Sequence, residues 1–349
     1  MKYIDLAPGH RISRVIKGGW QLSEGHGQVD LSTSVEDMIA FCDAGITAFD
    51  CADIYTGVEQ MIGEFRKTYA DQRGAEALAL VKVHTKCVPD LEKLAHFTRA
   101  DLVAGIDTSL KRLNADTLDL VQFHWWDYEV DRYVEVAGWL TDLRAEGKIT
   151  NIGATNFNTD TMMALVDAGI PLVSMQVQYS LLDDRPARAM AEAAQKARIG
   201  LLCYGSVSGG LLSERWLGVP EPTGDFENRS LIKYKLIVDE FGGWDLFQTL
   251  LQTLARVAAR HGTDIASIAS RMMLDRPGVA AVIVGARNAS HIPSNAALPE
   301  IALTQADTAE IAAVTAQANP VPGDVFDVER DRNGRHGSIM KYNLNKTPA

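Results

Sequence analysis

Cysteine is scarce in this chain: four in 349 residues, Cys42, Cys51, Cys87 and Cys203, with no C-x-x-C pair. That excludes a disulfide-stapled scaffold and gives no zinc-ligand spacing, so the four read as free thiols of a reducing compartment. Long apolar runs are missing too. No stretch approaches the ~20 residues needed to span a bilayer, and the segment Met1 to His10 lacks the apolar core of a signal peptide, so the expected location is cytoplasmic. Basic residues are in deficit, 34 Lys and Arg against 45 Asp and Glu, for a formal charge of −11. Such a balance argues against nucleic acid or an anionic membrane as partner, while leaving room for a local phosphate pocket. No G-x-G-x-x-G follows a strand-like run, so the doubly wound dinucleotide fingerprint is missing. Internal repeats and low-complexity linkers are absent as well.

What is present is regular alternation. Apolar strand-like runs at Val15–Ile16, Ala48–Asp50, Ala79–Val83, Leu118–Phe123, Thr150–Ala154, Leu172–Gln176, Ile199–Tyr204 and Val279–Val284 are separated by amphipathic helical stretches. Strand-helix alternation predicts a parallel sheet, and eight such strands predict a (β/α)8 TIM barrel of the α/β class. With 46% hydrophobic residues the chain has ample core for a barrel, which needs ~250 residues and tolerates insertions. Residues 1–349 are therefore expected to form a single barrel unit. Residues 1–13 are expected to make an N-terminal hairpin across the barrel bottom. A polar, glycine-containing loop follows Trp20, with a helix beginning near Thr33 and Ser34. Residues 212–243, rich in Gly, Pro and charge, read as a long active-site loop or lid. The tail 320–349 reads as a second candidate for closing the pocket, or as a solvated extension or subunit contact.

Four polar residues stand at the ends of these runs. Asp50 closes Ala48-Phe49-Asp50, Tyr55 follows five residues later, Lys86 ends the run through Val83-His84-Thr85, and His124 follows Leu118–Phe123. In a β/α barrel the C-terminal strand ends share one face, so these residues would meet there. A tyrosine near pKa ~10 is a poor acid unless a cation stabilises its phenolate. Lys86 would supply that cation, Asp50 would hold the ammonium, and His124 would orient a carbonyl oxygen toward the tyrosine proton. Taken singly, Asp50 reads equally as a helix cap, Lys86 as a solvated loop charge, and Tyr55 or His124 as packed side chains. No convergent spacing of His84, His124 and Asp119 points to a metal.

These residues resemble the catalytic tetrad of the aldo-keto reductase superfamily. Asp50 and Tyr55 match its D-x-A-x-x-Y, Glu59 and Gly63 the E-x-x-x-G that follows, Lys86 the T-K of the third strand and His124 the D-L-x-Q-x-H of the fourth. Lys148 to Phe157 is similar to G-K-I-x-x-I-G-x-S-N-F, with Ala154 and Thr155 in place of commoner residues. Gln176 to Leu182 is similar to Q-x-x-Y-N-L-L, and Ile283 to Arg287, with Asn295, to the family's terminal I-x-G-A-R and following asparagine.

The resemblance implies a nicotinamide cofactor held without a Rossmann fingerprint. Thr155, Asn156 and Gln176 would bind the carboxamide and Tyr204 would stack on the nicotinamide. The backbone of Ser206, Val207, Ser208 and Gly209 would approach the pyrophosphate. Gly285 and Arg287 would lie at the adenosine end, Arg287 facing the 2′-phosphate, with Asn295 near the adenine. His291 stands where many NADP-dependent relatives carry arginine, and Ser294 replaces a usual acid. Arg287 still favours NADP(H) over NAD(H). Trp20, Trp125 and Trp126 are expected at the pocket mouth, with at least one of the adjacent pair turned into packing. The implied reaction is reduction of a small aldehyde, ketose or aldose, or the reverse oxidation. Two other readings stand beside it: a cofactor-binding interaction protein on the same fold, like the potassium-channel β-subunits, and a Schiff-base aldolase using Lys86. Charge and composition suit a monomer, a dimer or a larger ring equally.

Overall fold

A computed structural model describes residues 2–23, 30–224, 226 and 229–345, that is, all but Met1, the polar residues after Ser23, part of the 212–243 segment and the last four of the tail; at Arg229 it describes the backbone alone. Two strands, β1 (Tyr3–Ala7) and β2 (His10–Ser13), form an antiparallel hairpin. The next eight close a parallel barrel: β3 (Val15–Gly18), β4 (Ala48–Asp50), β5 (Lys82–Cys87), β6 (Leu118–Phe123), β7 (Ile149–Thr155), β8 (Leu172–Gln178), β9 (Gly200–Tyr204) and β10 (Val279–Gly285), which pairs with both β9 and β3. The (β/α)8 fold expected from the strand count is the fold found.

The period of two along each strand divides the core. Ile16, Ala48, Leu120 and Leu202 point into the barrel, where Ile12 of the hairpin joins them with Ile4 and Leu6 behind it, plugging the bottom. Their neighbours Val15, Phe49, Val121 and Cys203 point outward into the larger core beneath the helices. Two residues further along the inward face the side chains turn polar: Asp50 after Ala48, Lys86 after His84, Gln122 after Leu120 and then His124. The same alternation that seals the bottom with aliphatic groups therefore delivers a charged layer to the top.

Three expectations change. The strand placed at Ala79–Val83 begins instead at Lys82. Ala75–Ala79, an Ala-, Leu- and Glu-rich stretch of good helix formers, makes a short helix before it. The 212–243 segment is only partly a loop, because it ends in a helix over Arg229–Phe241. Leu231, Tyr234, Ile237, Val238 and Phe241 recur at helical spacing on that helix and are all buried, a stripe that a reading focused on Gly and Pro overlooks. Trp125 leaves the site: its side chain is fully buried, packs 5.8 Å from Phe123 and donates its Nε1–H to Val130 O at 2.9 Å. The helix near Thr33 begins at Leu31, capped by the Asp30 carboxylate, which accepts from Thr33 N.

Candidate active site

The polar layer is a hydrogen-bonded network centred on Asp50. Its Oδ2 accepts from Lys86 Nζ at 2.7 Å, and its Oδ1 accepts from Gln122 Nε2 at 3.0 Å and from Gln176 Nε2 at 2.6 Å. The Gln176 amide also donates to Gln122 Oε1 at 2.9 Å, and Lys86 makes a second bond to Cys51 O at 2.8 Å. Burial alone would lower the Lys86 ammonium, but the facing carboxylate outweighs it and holds the charged form above the ordinary lysine range. Lys86 Nζ lies 4.7 Å from the centre of the Tyr55 ring, and Trp20 meets the same ring edge-on at 5.1 Å. For Tyr55 the balance goes the other way. Burial raises the phenol more than Lys86 lowers it, so the hydroxyl stays protonated at neutral pH rather than being drawn toward phenolate.

His124 is fully enclosed. Its Nδ1 stands 2.9 Å from Thr155 O, an oxygen that can only accept, so Nδ1 carries the proton. Nε2 is buried without a hydrogen-bond partner. Burial first, then the Arg330 charge, hold the ring neutral by pushing its pKa down to about 3, although the Thr155 carbonyl opposes them. Neutral His124 therefore presents a lone pair at Nε2. Trp126 stands edge-on to the imidazole at 4.2 Å and Phe326, from the tail, edge-on at 5.7 Å.

The sequence between residues 14 and 316 matches the model of the aldo/keto reductase family. The chain belongs to that family. An aldo-keto reductase of Bacillus subtilis, YhdN, is 31% identical over 320 residues, covering 89% of this chain and 92% of that one. Flagellar radial spoke protein 5 of Chlamydomonas reinhardtii is 28% identical over 260 residues, and the matched stretch spans 64% of this chain but only 49% of the spoke protein. The solved structure of a glycerol dehydrogenase from Gluconobacter oxydans superposes with a TM-score of 0.73 at 23% identity, over 90% of this chain and 94% of that one. Membership makes this aldo/keto reductase an oxidoreductase acting between carbonyls and alcohols. No described helix is long and apolar enough to cross a membrane.

On the expected cofactor side of the reductase, Thr155 Oγ1 and Asn295 Nδ2 are buried without hydrogen-bond partners. Asn156 adopts left-handed backbone at φ 61° and accepts from Tyr204 OH at 2.9 Å. Gln176, expected to share the carboxamide, has its amide hydrogens committed to Asp50 and Gln122. The inward face of β8 points it across the barrel into the Asp50 network. Ser208 and Gly209 have φ of 48° and 66°, giving the tight turn after β9, and Ser206 Oγ is bonded to Ser270 Oγ at 2.9 Å. The Tyr234 ring covers one side of this turn, and a Cβ on Gly209 would come within 2.7 Å of it. Gln21 lies against Gly285 in the same way, while Arg287 and His291 are exposed.

Sequence reasoning missed Gln122, although the Q of D-L-x-Q-x-H carried it. It also missed Lys233, whose Nζ stands 5.3 Å over the Tyr204 ring and 3.9 Å from Glu329 Oε1, and, although it offered the tail as a candidate for closing the pocket, with Phe326 and Tyr342 packed, it assigned no role to Glu329 or Arg330. Among the described residues no cluster of His, Cys, Asp and Glu is arranged to hold a metal ion.

Proposed function

We propose that this reductase interconverts a small carbonyl compound and its alcohol with NADP(H) in preference to NAD(H), and that Tyr55 is the general acid of reduction and the general base of oxidation. The observation that carries this reading is the buried Lys86–Asp50 pair set against the face of the Tyr55 ring. The orphaned Thr155 Oγ1 and Asn295 Nδ2 and the left-handed turn at Ser208–Gly209 suit a nicotinamide dinucleotide. Thr155 and Asn156 would hold its carboxamide, Tyr204 its ring, the 206–209 backbone its pyrophosphate and Arg287 with Asn295 its adenosine end. When bound, that cofactor supplies or takes the hydride.

The protein's own groups handle the proton. Tyr55, held protonated by burial, donates to the carbonyl oxygen. Lys86 then stabilises the phenolate left behind, and Asp50, Gln122 and Gln176 fix the ammonium in place, so the charge develops in a preorganised field. His124 is the residue expected to orient that carbonyl oxygen. With Nδ1–H on Thr155, its Nε2 faces the pocket as an acceptor, while the alcohol's one hydroxyl hydrogen goes to Tyr55 in oxidation and comes from Tyr55 in reduction. Trp20, Trp126 and Phe326 form an aromatic wall suited to sugar faces or apolar aldehydes.

The aldolase alternative fares poorly on the same geometry. A Schiff base needs a free amine, whereas Asp50 holds Lys86 charged. Tyr55→Phe tests the main reading. It should lower carbonyl turnover by about 10²-fold or more while tryptophan quenching still reports NADPH binding at the wild-type Kd. Undiminished turnover would remove Tyr55 from its role. Binding of neither NADPH nor NADH to the wild type would overturn both the reductase reading and the cofactor-binding interaction protein, and would favour the aldolase or another barrel chemistry.

A further inference from the structure

The family match ends at residue 316, yet the chain returns to the site after it. Arg330 follows Phe326 and Glu329 on the short helix Asp327–Arg330. Its Nη1 donates to Trp125 O at 2.5 Å and Trp126 O at 2.6 Å, and its Nη2 donates to Asn156 O at 2.6 Å. The guanidinium is stacked 4.0 Å from the centre of the Tyr128 ring. Those three carbonyls are not arbitrary. Trp125 and Trp126 follow His124 directly, and Asn156 follows Thr155, whose carbonyl holds the His124 Nδ1–H. One side chain therefore ties together the strand end that carries the imidazole and the strand end that orients it.

We propose that Arg330 is a positioning residue for His124, a part of the site supplied by the tail beyond the shared family region. The proposal rests on the carbonyl–alcohol reading above for its consequence in turnover, but not for its geometry. Charge-assisted bonds to carbonyls are the stronger kind, and a planar fork reaches three acceptors where a lysine's point charge does not. Among the described residues Arg330 forms no ion pair, although Asp327 and Glu329 lie near enough to favour its charge. Lys86 is the other cation near the ring, and Asp50 neutralises it. Both cations disfavour imidazolium. The fork keeps the Thr155 carbonyl in line with Nδ1, so the Nε2 lone pair stays aimed at the pocket. Glu329, next in the chain, anchors the segment by a two-bond pair with buried Arg185, at 2.9 and 3.0 Å.

The test uses the full chain with 15N-labelled histidine, the His124 signals being assigned by their loss in His124→Gln. At pH 7 the wild type should show the Nδ1–H tautomer. Arg330→Met should replace that pattern with an exchange-averaged or Nε2–H one, and should lower kcat by about tenfold or more with the NADPH Kd within twofold. Arg330→Lys keeps the charge without the fork and should show the same tautomer change with a smaller loss of kcat. It also decides the matter if the methionine variant fails to fold. Arg332→Ala, which removes an exposed tail arginine paired with Asp127, should change neither readout. An unchanged His124 spectrum in Arg330→Met, or a kcat within twofold of wild type, would overturn the proposal. If the wild type turns over no carbonyl with either cofactor, the functional reading fails separately, and the nitrogen spectra alone decide the role of Arg330.

Discussion

Asp50→Asn should cost more than any other single change in the catalytic network, and the reason lies in what it strands. Asp50 and Lys86 are each about 5% exposed at their side chains, and the carboxylate accepts three hydrogen bonds. The amide keeps the shape but removes the charge, leaving a buried ammonium with neutral acceptors such as Cys51 O and no counter-charge in the Asp50 position. Breaking a buried pair from one side costs about 3–5 kcal/mol, and that is the loss expected in urea unfolding at pH 7. The sign with pH is distinctive. In the wild type the folded pKa of Lys86 lies above its unfolded value, so the pair's contribution is fully present below that unfolded value, near 10.5, and is lost only as pH rises through the folded one. In Asp50→Asn the main opposition to burial is gone, and burial should drop the folded value below the unfolded one. The unfolded chain then binds more protons, so stability rises with pH and the deficit shrinks between pH 7 and 10. The double variant Asp50→Asn/Lys86→Met should recover much of the loss. A deficit under about 1 kcal/mol, or one that grows with pH, would refute the reasoning, and neither measurement depends on knowing the substrate.

Two further outcomes follow from charges elsewhere. Arg287→Ala should weaken NADPH binding about tenfold while leaving NADH binding nearly unchanged; equal losses in fluorescence titration would take the 2′-phosphate role away from Arg287. At the barrel bottom, His10 and His84 face each other with Nε2 atoms 3.0 Å apart. Burial chiefly, with Asp119 opposing, lowers His10 from 6.5 to about 4, and His84 is also held well below its ordinary value. The contribution of these neutral rings is present above pH 6.5 and is lost as pH falls toward 4, up to about 3 kcal/mol for His10. His10→Phe should flatten that part of the stability curve, and an unaltered acid limb would contradict the assignment.

Three of the four candidate residues were legible because each obeys a local rule, while Tyr55 lies in the turn that follows Ala48–Asp50. A strand ends, the period of two puts its last inward residue on the barrel's upper face, and Asp50, Lys86 and His124 are those residues. The hairpin, the barrel order and the helix at Leu31 were legible for the same reason. Trp125 was harder, because two adjacent tryptophans after one strand offer no local signal for which faces the pocket; the bond from Trp125 to Val130 decides it. Gln176 was assigned to the cofactor by resemblance alone; its amide hydrogens are bonded to Asp50 and Gln122, a contact set by the inward face of β8 that no local pattern announces. The His124 tautomer was beyond reach, since it depends on a carbonyl thirty-one residues away. The tail was least legible of all. Its contacts with the site lie 174 to 205 residues away along the chain, and among its many charges no spacing distinguishes Glu329 and Arg330 from a solvated extension.

The burial of those charges is what makes the tail testable as a structural unit. Asp183, Arg185 and Glu329 are each within 1% of complete burial, and Lys233 approaches from the Arg229–Phe241 helix. Such clusters are poor evidence of net stability, because desolvation offsets attraction. Their geometry nevertheless admits one docking of the tail, since Arg185 already spends one face on Asp183 and offers the other to Glu329. Burial alone would raise the Glu329 carboxyl, but Arg185 and then Lys233 bring it down to about 2. The anchor is therefore complete above about pH 4.5 and is lost as pH falls toward 2. Glu329→Gln should leave the barrel's cooperative unfolding nearly intact, because β3 to β10 do not run through the tail, while releasing residues after 320 locally. Hydrogen exchange at pH 7 should show faster exchange at Arg330 and Met340, whose amides are bonded within the tail, and slower change at β6 and β8. Equal acceleration in strands and tail would mean that the cluster holds the whole barrel together, and the tail would then be part of the fold's core instead of an element docked upon it.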